Sequence, residues 1–122
     1  MRNFQIVVVD DDESVRSVVS AVVREAIPTA AVTEHISSFA ALEVIHGGAT
    51  DLLITNCHMP DMDGPTLVRT IREEKNPIPI IMVSGSEEAR ELGELAGIDR
   101  FVPKHSIHAS LTAAIHSLLD VA

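Results

Sequence analysis

Tryptophan and tyrosine are absent and phenylalanine occurs only three times. That leaves no stacking platform for nucleobases or for a flavin ring. One cysteine, Cys57, excludes an internal disulfide and suits a reducing compartment. Lysine and arginine number nine against 18 aspartates and glutamates, a formal net charge of −9. The few basic residues form no stripe, which argues against nucleic acid or an anionic membrane as a direct partner. No apolar run is long enough to cross a bilayer. The opening MRNFQIVVVDDD has too short an apolar stretch before its three carboxylates to be a secretory signal. A soluble, cytoplasmic chain is expected. With no repeat, low-complexity tract or linker, one domain over 1–122 is expected as well.

What the sequence does contain is an alternation, repeated five times, of short apolar runs and helical periodicity. Ile6 to Val9 is a β-branched run and reads as the first strand. Val15, Val18, Val19, Val22, Val23 and Ala26 follow at helical spacing. Ala31 to His35 is a weaker strand. Phe39, Leu42 and Ile45 stripe a second helix, with Ser37 and Ser38 as cap candidates and Gly47-Gly48 at its end. Leu52 to Thr55 reads as the third strand, and MPDMDGP as a loop before a helix carrying Leu67, Val68 and Ile71. Ile78 to Val83 is the fourth strand, with Pro79 tolerable near its start. Ser86 caps a helix whose stripe is Leu92 and Leu95, and Gly97 ends it. Phe101-Val102 is a brief fifth strand, and Ile107, Leu111, Ala114, Ile115 and Leu118 stripe the closing helix.

Alternating strands and helices imply an α/β fold, a parallel sheet covered on both faces. Three strongly apolar strands flanked by two weaker ones fit the order 2-1-3-4-5, with a switch point between the first and third. Ligands in such sheets bind outside the carboxyl ends of the strands there. Asp10, Asp11 and Asp12 follow the first strand, and Asn56 follows the third. Carboxylates crowded at one strand end repel each other, and a hard divalent cation such as Mg²⁺ is the usual answer. Asp12 also reads simply as the N-cap of the first helix.

VVVDDDESVR, DLLITNCHMPDMDG, PIIMVSG and FVPK, in this order and spacing, resemble the receiver domain of response regulators in two-component signalling. The resemblance runs from about Gln5 to Leu119. It implies a CheY-like fold and a phosphorelay role with no catalysis of the chain's own. Its implied partners are a histidine kinase or phosphotransfer protein, and an output domain or protein met by the fourth helix, fifth strand and fifth helix; the acidic fourth helix beside Arg100 also suits a second copy of the chain. It further implies that Asp10 and Asp11 hold Mg²⁺ with the backbone carbonyl of His58. Ser84 and Lys104 would contact phosphoryl oxygens, and Phe101 would follow the Ser84 switch. Ser84-Gly85 also reads as a plain turn, and Lys104 as a surface lysine.

Two positions depart from the family pattern. Asn56 stands where the family has the phosphate-accepting aspartate. An amide is neutral and a poor nucleophile, so no acyl phosphate is expected there, although its oxygen could coordinate a cation without charge. Either the asparagine is native, making a phosphorylation-independent pseudo-receiver, or it is an engineered replacement in an ordinary receiver. His105 follows Lys104 where the family commonly has proline, so that peptide bond is expected to be trans. Thr55 is a weak substitute acceptor, Cys57 reads as a packed hydrophobe, and His105 and His108 as solvated or capping residues. A haloacid-dehalogenase-like phosphatase is the enzyme alternative, on Asp10, Asp12 and Ser14, but the chain is short for its later acidic pair and cap. A flavodoxin-like FMN carrier fails on the three aspartates where a hydroxyl-rich phosphate loop would stand.

Overall fold

A β-branched strand buried on both sides needs helices above and below it, and the chain supplies them in strict alternation. The computed structural model describes residues 3–121; Met1, Arg2 and Ala122, the ends of the expected 1–122 domain, lie outside the described residues. The elements are β1 (Gln5–Val9), α1 (Glu13–Ala26), β2 (Ala31–His35), α2 (Ser38–His46), β3 (Leu52–Asn56), α3 (Gly64–Glu73), β4 (Ile80–Ser84), α4 (Glu87–Ala96), β5 (Arg100–Pro103) and α5 (Ile107–Leu118). A 3₁₀ turn, Lys104–Ser106, links the last two. The five strands pair in parallel in the order β2-β1-β3-β4-β5, as the alternation predicts.

Period-two alternation sends successive side chains of each central strand to opposite faces. Ile6, Val8, Leu52, Ile54, Ile81 and Val83 meet Val19, Val22 and Val23 of α1 and Leu111 and Ile115 of α5. Val7, Val9, Leu53, Ile80 and Met82 meet Ala41 and Ile45 of α2, Leu67, Val68 and Ile71 of α3, and Ala89 and Ala96 of α4. Both sandwiches are apolar, which is why the three middle strands are buried throughout except at Gln5, the first residue of β1.

Local signals mark most of the helix ends. Asp12, Ser37, Asp63 and Ser86 each accept a backbone N–H of the first turn that follows. Gly97 ends α4 at φ +114°, a left-handed C-cap. Ser38 does something else: buried, it donates to the Met62 carbonyl at 2.6 Å.

Several boundaries and faces differ from the sequence reading. β4 begins at Ile80, two residues late, because Asn76 Oδ1 takes the Ile78 N–H into the preceding turn and Pro79 has none to give. α3 begins at Gly64, earlier than its apolar stripe, since Asp63 caps it and Pro65 suits a first turn. β5 spans Arg100–Pro103. The face of α4 is the larger correction. Leu92 is 40% and Leu95 80% exposed, and the sheet is met by Ala89, Gly93 and Ala96. A Cβ on Gly93 would lie 2.8 Å from Ile98 and 2.9 Å from Met82, so the helix sits too close for leucine. Phe39 likewise faces out, 58% exposed, and Ala41 takes the inner position on α2.

Candidate functional site

Strand register decides which residues share the carboxyl end of the sheet. Val9 pairs with Thr55, so Asp10 and Asn56, each one step further on, stand level on adjacent strands. Asn56 pairs with Val83, which puts Ser84 one step beyond, and Ser84 pairs with Pro103, just before Lys104. The topology therefore gathers Asp10, Asp11, Asn56, Ser84 and Lys104, from four strand ends, at one edge. Asp10, Asn56 and Ser84 are buried; Asp11 and His58 are exposed, and Lys104 is half-buried.

Asp10 is the centre of the acidic group. Its Oδ1 accepts the Asp12 N–H at 2.9 Å and the Asn56 side-chain amide at 3.4 Å. Its backbone carbonyl accepts from Arg16 Nη1 at 2.9 Å, while Arg16 Nε reaches Glu34 at 3.2 Å. Burial pushes the Asp10 carboxyl above the ordinary carboxylate range; the Asp12 N–H and the Lys104 charge pull the other way, and Asp11 and Asp12 add to the rise. Asp12 caps α1 through Ser14 N–H at 2.9 Å, the plain reading of that residue. The Lys104 ammonium forms no hydrogen bond or ion pair among the described residues and acts on Asp10 through its field alone.

Asn56 is held on both sides of its amide. Oδ1 accepts the Cys57 N–H at 2.8 Å, and Nδ2 donates to the His58 carbonyl at 2.8 Å. Thr55 Oγ1 donates to the Asn56 carbonyl at 2.9 Å, so its hydroxyl is engaged. Ser84 Oγ accepts the Ser86 N–H at 3.4 Å. Phe101 is half-buried beneath Arg90, whose guanidinium carbon lies 4.5 Å from the ring centroid while its Nε reaches Glu87 at 3.1 Å. The Lys104–His105 peptide is trans, there being no cis bond among the described residues.

Arg16, Asp61 and Arg90 are contributors that sequence reasoning missed, and Ser38, expected as a cap, is instead the buried donor to Met62. Asp61 Oδ2 accepts from Ser37 Oγ at 2.8 Å and from Phe39 N–H at 3.2 Å, tying the loop after Asn56 to the start of α2. Nothing local marks the Asp61 and Ser38 pairings, which join residues more than 20 positions apart, or the contacts of Arg16 with Glu34 and of Arg90 with Phe101. Asp63 as the cap of α3 was missed too, although an aspartate before Gly-Pro is a local signal that could have found it.

Asp63 is expected to make the loop pH-sensitive. The Thr66 hydrogen bonds hold its carboxyl below the usual range, against a smaller opposing effect of burial. A carboxylate with a depressed folded pKa contributes stability that is complete above its unfolded value, about 3.9, and lost as pH falls through the folded one. Urea midpoints taken from neutral to about pH 3 should therefore fall less steeply for Asp63→Asn than for the unaltered chain. Parallel curves would assign acid sensitivity elsewhere.

The fit of Mg²⁺ to this group follows from its donors. Among the described residues no cluster of three His, Cys, Asp or Glu side chains could hold a metal. Two carboxylates and the His58 carbonyl are the available oxygens. The sequence reading turned the Asn56 oxygen toward a cation; the structure turns it to Cys57 and sets the nitrogen against Asp10 and His58. An N–H donor facing those oxygens does not fit a cation between them.

Comparison with known proteins gives a concordant picture. The response regulator receiver domain family matches residues 6–116. The cyclic di-GMP phosphodiesterase response regulator RpfG of Xanthomonas campestris is 32% identical over 120 residues, which is 95% of this chain and 32% of that protein. The sensor kinase CckA of Brucella abortus is 36% identical over 94 residues, 73% of this chain and 10% of its own length. The chain spans a third or less of the curated relatives it matches. A response regulator structure from Chloroflexus aurantiacus superposes with a TM-score of 0.88 at 27% identity, covering 98% of this chain and 99% of that one.

Proposed function

This chain belongs to the response regulator receiver domain family of two-component signalling, and from that premise we propose that it is a pseudo-receiver that signals by binding, without phosphorylation. The observation that carries the proposal is Asn56, buried at the end of β3 beside Asp10. Phosphoryl transfer to a receiver needs a carboxylate oxygen in line with the phosphorus. A neutral amide whose oxygen already accepts a backbone N–H is no such nucleophile. In this reading Ser84 and Lys104 are the residues that would contact a phosphoryl group, and Phe101 is the switch aromatic. None receives the usual trigger, so binding draws on the resting population of the competent arrangement.

In this reading the chain is one receiver domain, not an enzyme, and works in the cytoplasm. Among the described residues no helix is long and apolar enough to cross a membrane. A histidine kinase or phosphotransfer protein is its upstream partner by family. Its output partner, another domain or a second copy, meets α4, β5 and α5. Support for that face comes from the outward Leu92 and Leu95, set among Glu87, Glu88, Glu91 and Glu94, with Arg100 nearby. Exposed ion pairs there would add only about 0–1 kcal/mol each, leaving apolar contact to supply most of the affinity.

Acetyl phosphate with Mg²⁺ tests the proposal. Intact-mass spectra should show no phosphate adduct on the unaltered chain and a labelled fraction on Asn56→Asp. A robust adduct on the unaltered chain would overturn the reading, and peptide mapping would then ask whether Thr55 carries it.

A further inference from the structure

The orientation of the Asn56 amide is set by its three neighbours. Its oxygen accepts from Cys57 N–H, and its nitrogen faces the His58 carbonyl at 2.8 Å and Asp10 Oδ1 at 3.4 Å. Turned over, the amide would set its oxygen against two acceptors and its NH₂ against a donor, so the network permits one arrangement. The electropositive end of the side chain thus points between a buried carboxylate and a backbone carbonyl. In a metal-loaded receiver pocket those same two oxygens would bind the cation.

We infer that the Asn56 NH₂ group stands in for the divalent cation, giving Asp10 and the His58 carbonyl the partner a metal would have given them and closing the pocket to Mg²⁺. The inference rests on the receiver reading of this pocket. It says more than that a negative charge is missing. Charge counting treats Asn56 as a weak ligand that lowers affinity. Occupancy treats it as a competitor whose removal raises affinity.

The two accounts part at Asn56→Ala. Alanine removes the N–H donors and leaves Asp10, the His58 carbonyl and Asp11, which is exposed and has no hydrogen-bond partner among the described residues. Mg²⁺ needs only one or two carboxylates and keeps several waters. Occupancy therefore predicts that Asn56→Ala binds the ion more tightly than the unaltered chain. Charge counting predicts equal or weaker binding, because alanine has lost even the amide oxygen. Asn56→Asp binds most tightly under both.

Mn²⁺ titration followed by electron paramagnetic resonance, with Mg²⁺ as competitor, reads this directly. The expected order is Asn56→Asp tightest, then Asn56→Ala, then the unaltered chain, with alanine gaining roughly tenfold over asparagine. The unaltered chain also serves alone, in case a variant folds poorly: Mn²⁺ at stoichiometric concentration should leave the backbone amide resonances of Asp11 and Cys57 sharp, and Mg²⁺ should not move its melting temperature. Selective broadening of those resonances, or a folded Asn56→Ala that binds no better than the unaltered chain, would overturn the inference. Phosphate labelling reports on the nucleophile and these titrations on the cation, so the two readings fail separately.

Discussion

Gly64→Ala is expected to destabilise the chain by about 3–4 kcal/mol, a large effect for a single methyl group. Gly64 is the first residue of α3, and its N–H donates to the Cys57 carbonyl at 2.7 Å. A Cβ there would run into the Asn56 carbonyl oxygen and lie 3.1 Å from Cys57 Cα. These obstacles are backbone, so no rotamer change relieves them. Either the loop from Cys57 to Asp63 opens, losing the Gly64 hydrogen bond at about 0.5–1.5 kcal/mol, or α3 withdraws. Withdrawal is opposed by Leu67, Val68 and Ile71, all fully buried against the sheet. Either route also displaces Asn56, since Cys57 supplies the N–H that holds its oxygen. Urea unfolding should show a lower midpoint with an unchanged slope. A loss under about 1 kcal/mol, within the range of a neutral surface change, would mean that the loop has slack the contacts do not reveal.

Arg72→Ala should cost about 2–4 kcal/mol and lower the melting temperature by something on the order of 10 °C. Its guanidinium donates to the carbonyls of Gly97 at 3.0 Å, Asn76 at 2.9 Å and Ile78 at 2.8 Å, and to Asp99 Oδ2 at 2.9 Å. The same Asp99 oxygen accepts the Ile80 N–H at 2.8 Å. One side chain thus joins the turn after α3, the start of β4, the C-cap of α4 and the entry to β5. The ion pair itself contributes little, because both partners are partly exposed. The loss comes instead from three carbonyls left without their charged donor, partly made good by water. Arg72→Lys should recover less than half, since an ammonium lacks the planar fork that reaches several acceptors at once. This hub closes the sheet at the end opposite Asp10. On an Asn56→Asp background it should therefore lower the melting temperature while leaving phosphate labelling at low temperature unchanged. Recovery of full stability by lysine would show that charge alone, and not fork geometry, holds the junction.

Much of the architecture is determined by the sequence on its own. Continuous apolar runs, helical stripes between them and capping residues at Asp12, Ser37 and Ser86 are local signals, so they specify element order and most boundaries without reference to the rest of the chain. Strand strength then orders the sheet, and strand order places Asp10, Asn56, Ser84 and Lys104 at one edge. Periodicity could not say which face of a short helix turns inward. On α4 both the leucines and the small residues satisfy helical spacing, and the close approach of Met82 and Ile98 decides for Gly93. The same limit governs Asn56. Its identity announces a missing nucleophile, but the direction of its amide depends on Asp10, 46 residues away in sequence, and on how the loop after β3 folds back. Tertiary structure alone decided whether that side chain offers an oxygen to a cation or a nitrogen in its place, because hydrogen-bond direction belongs to the assembled partners and not to the residue.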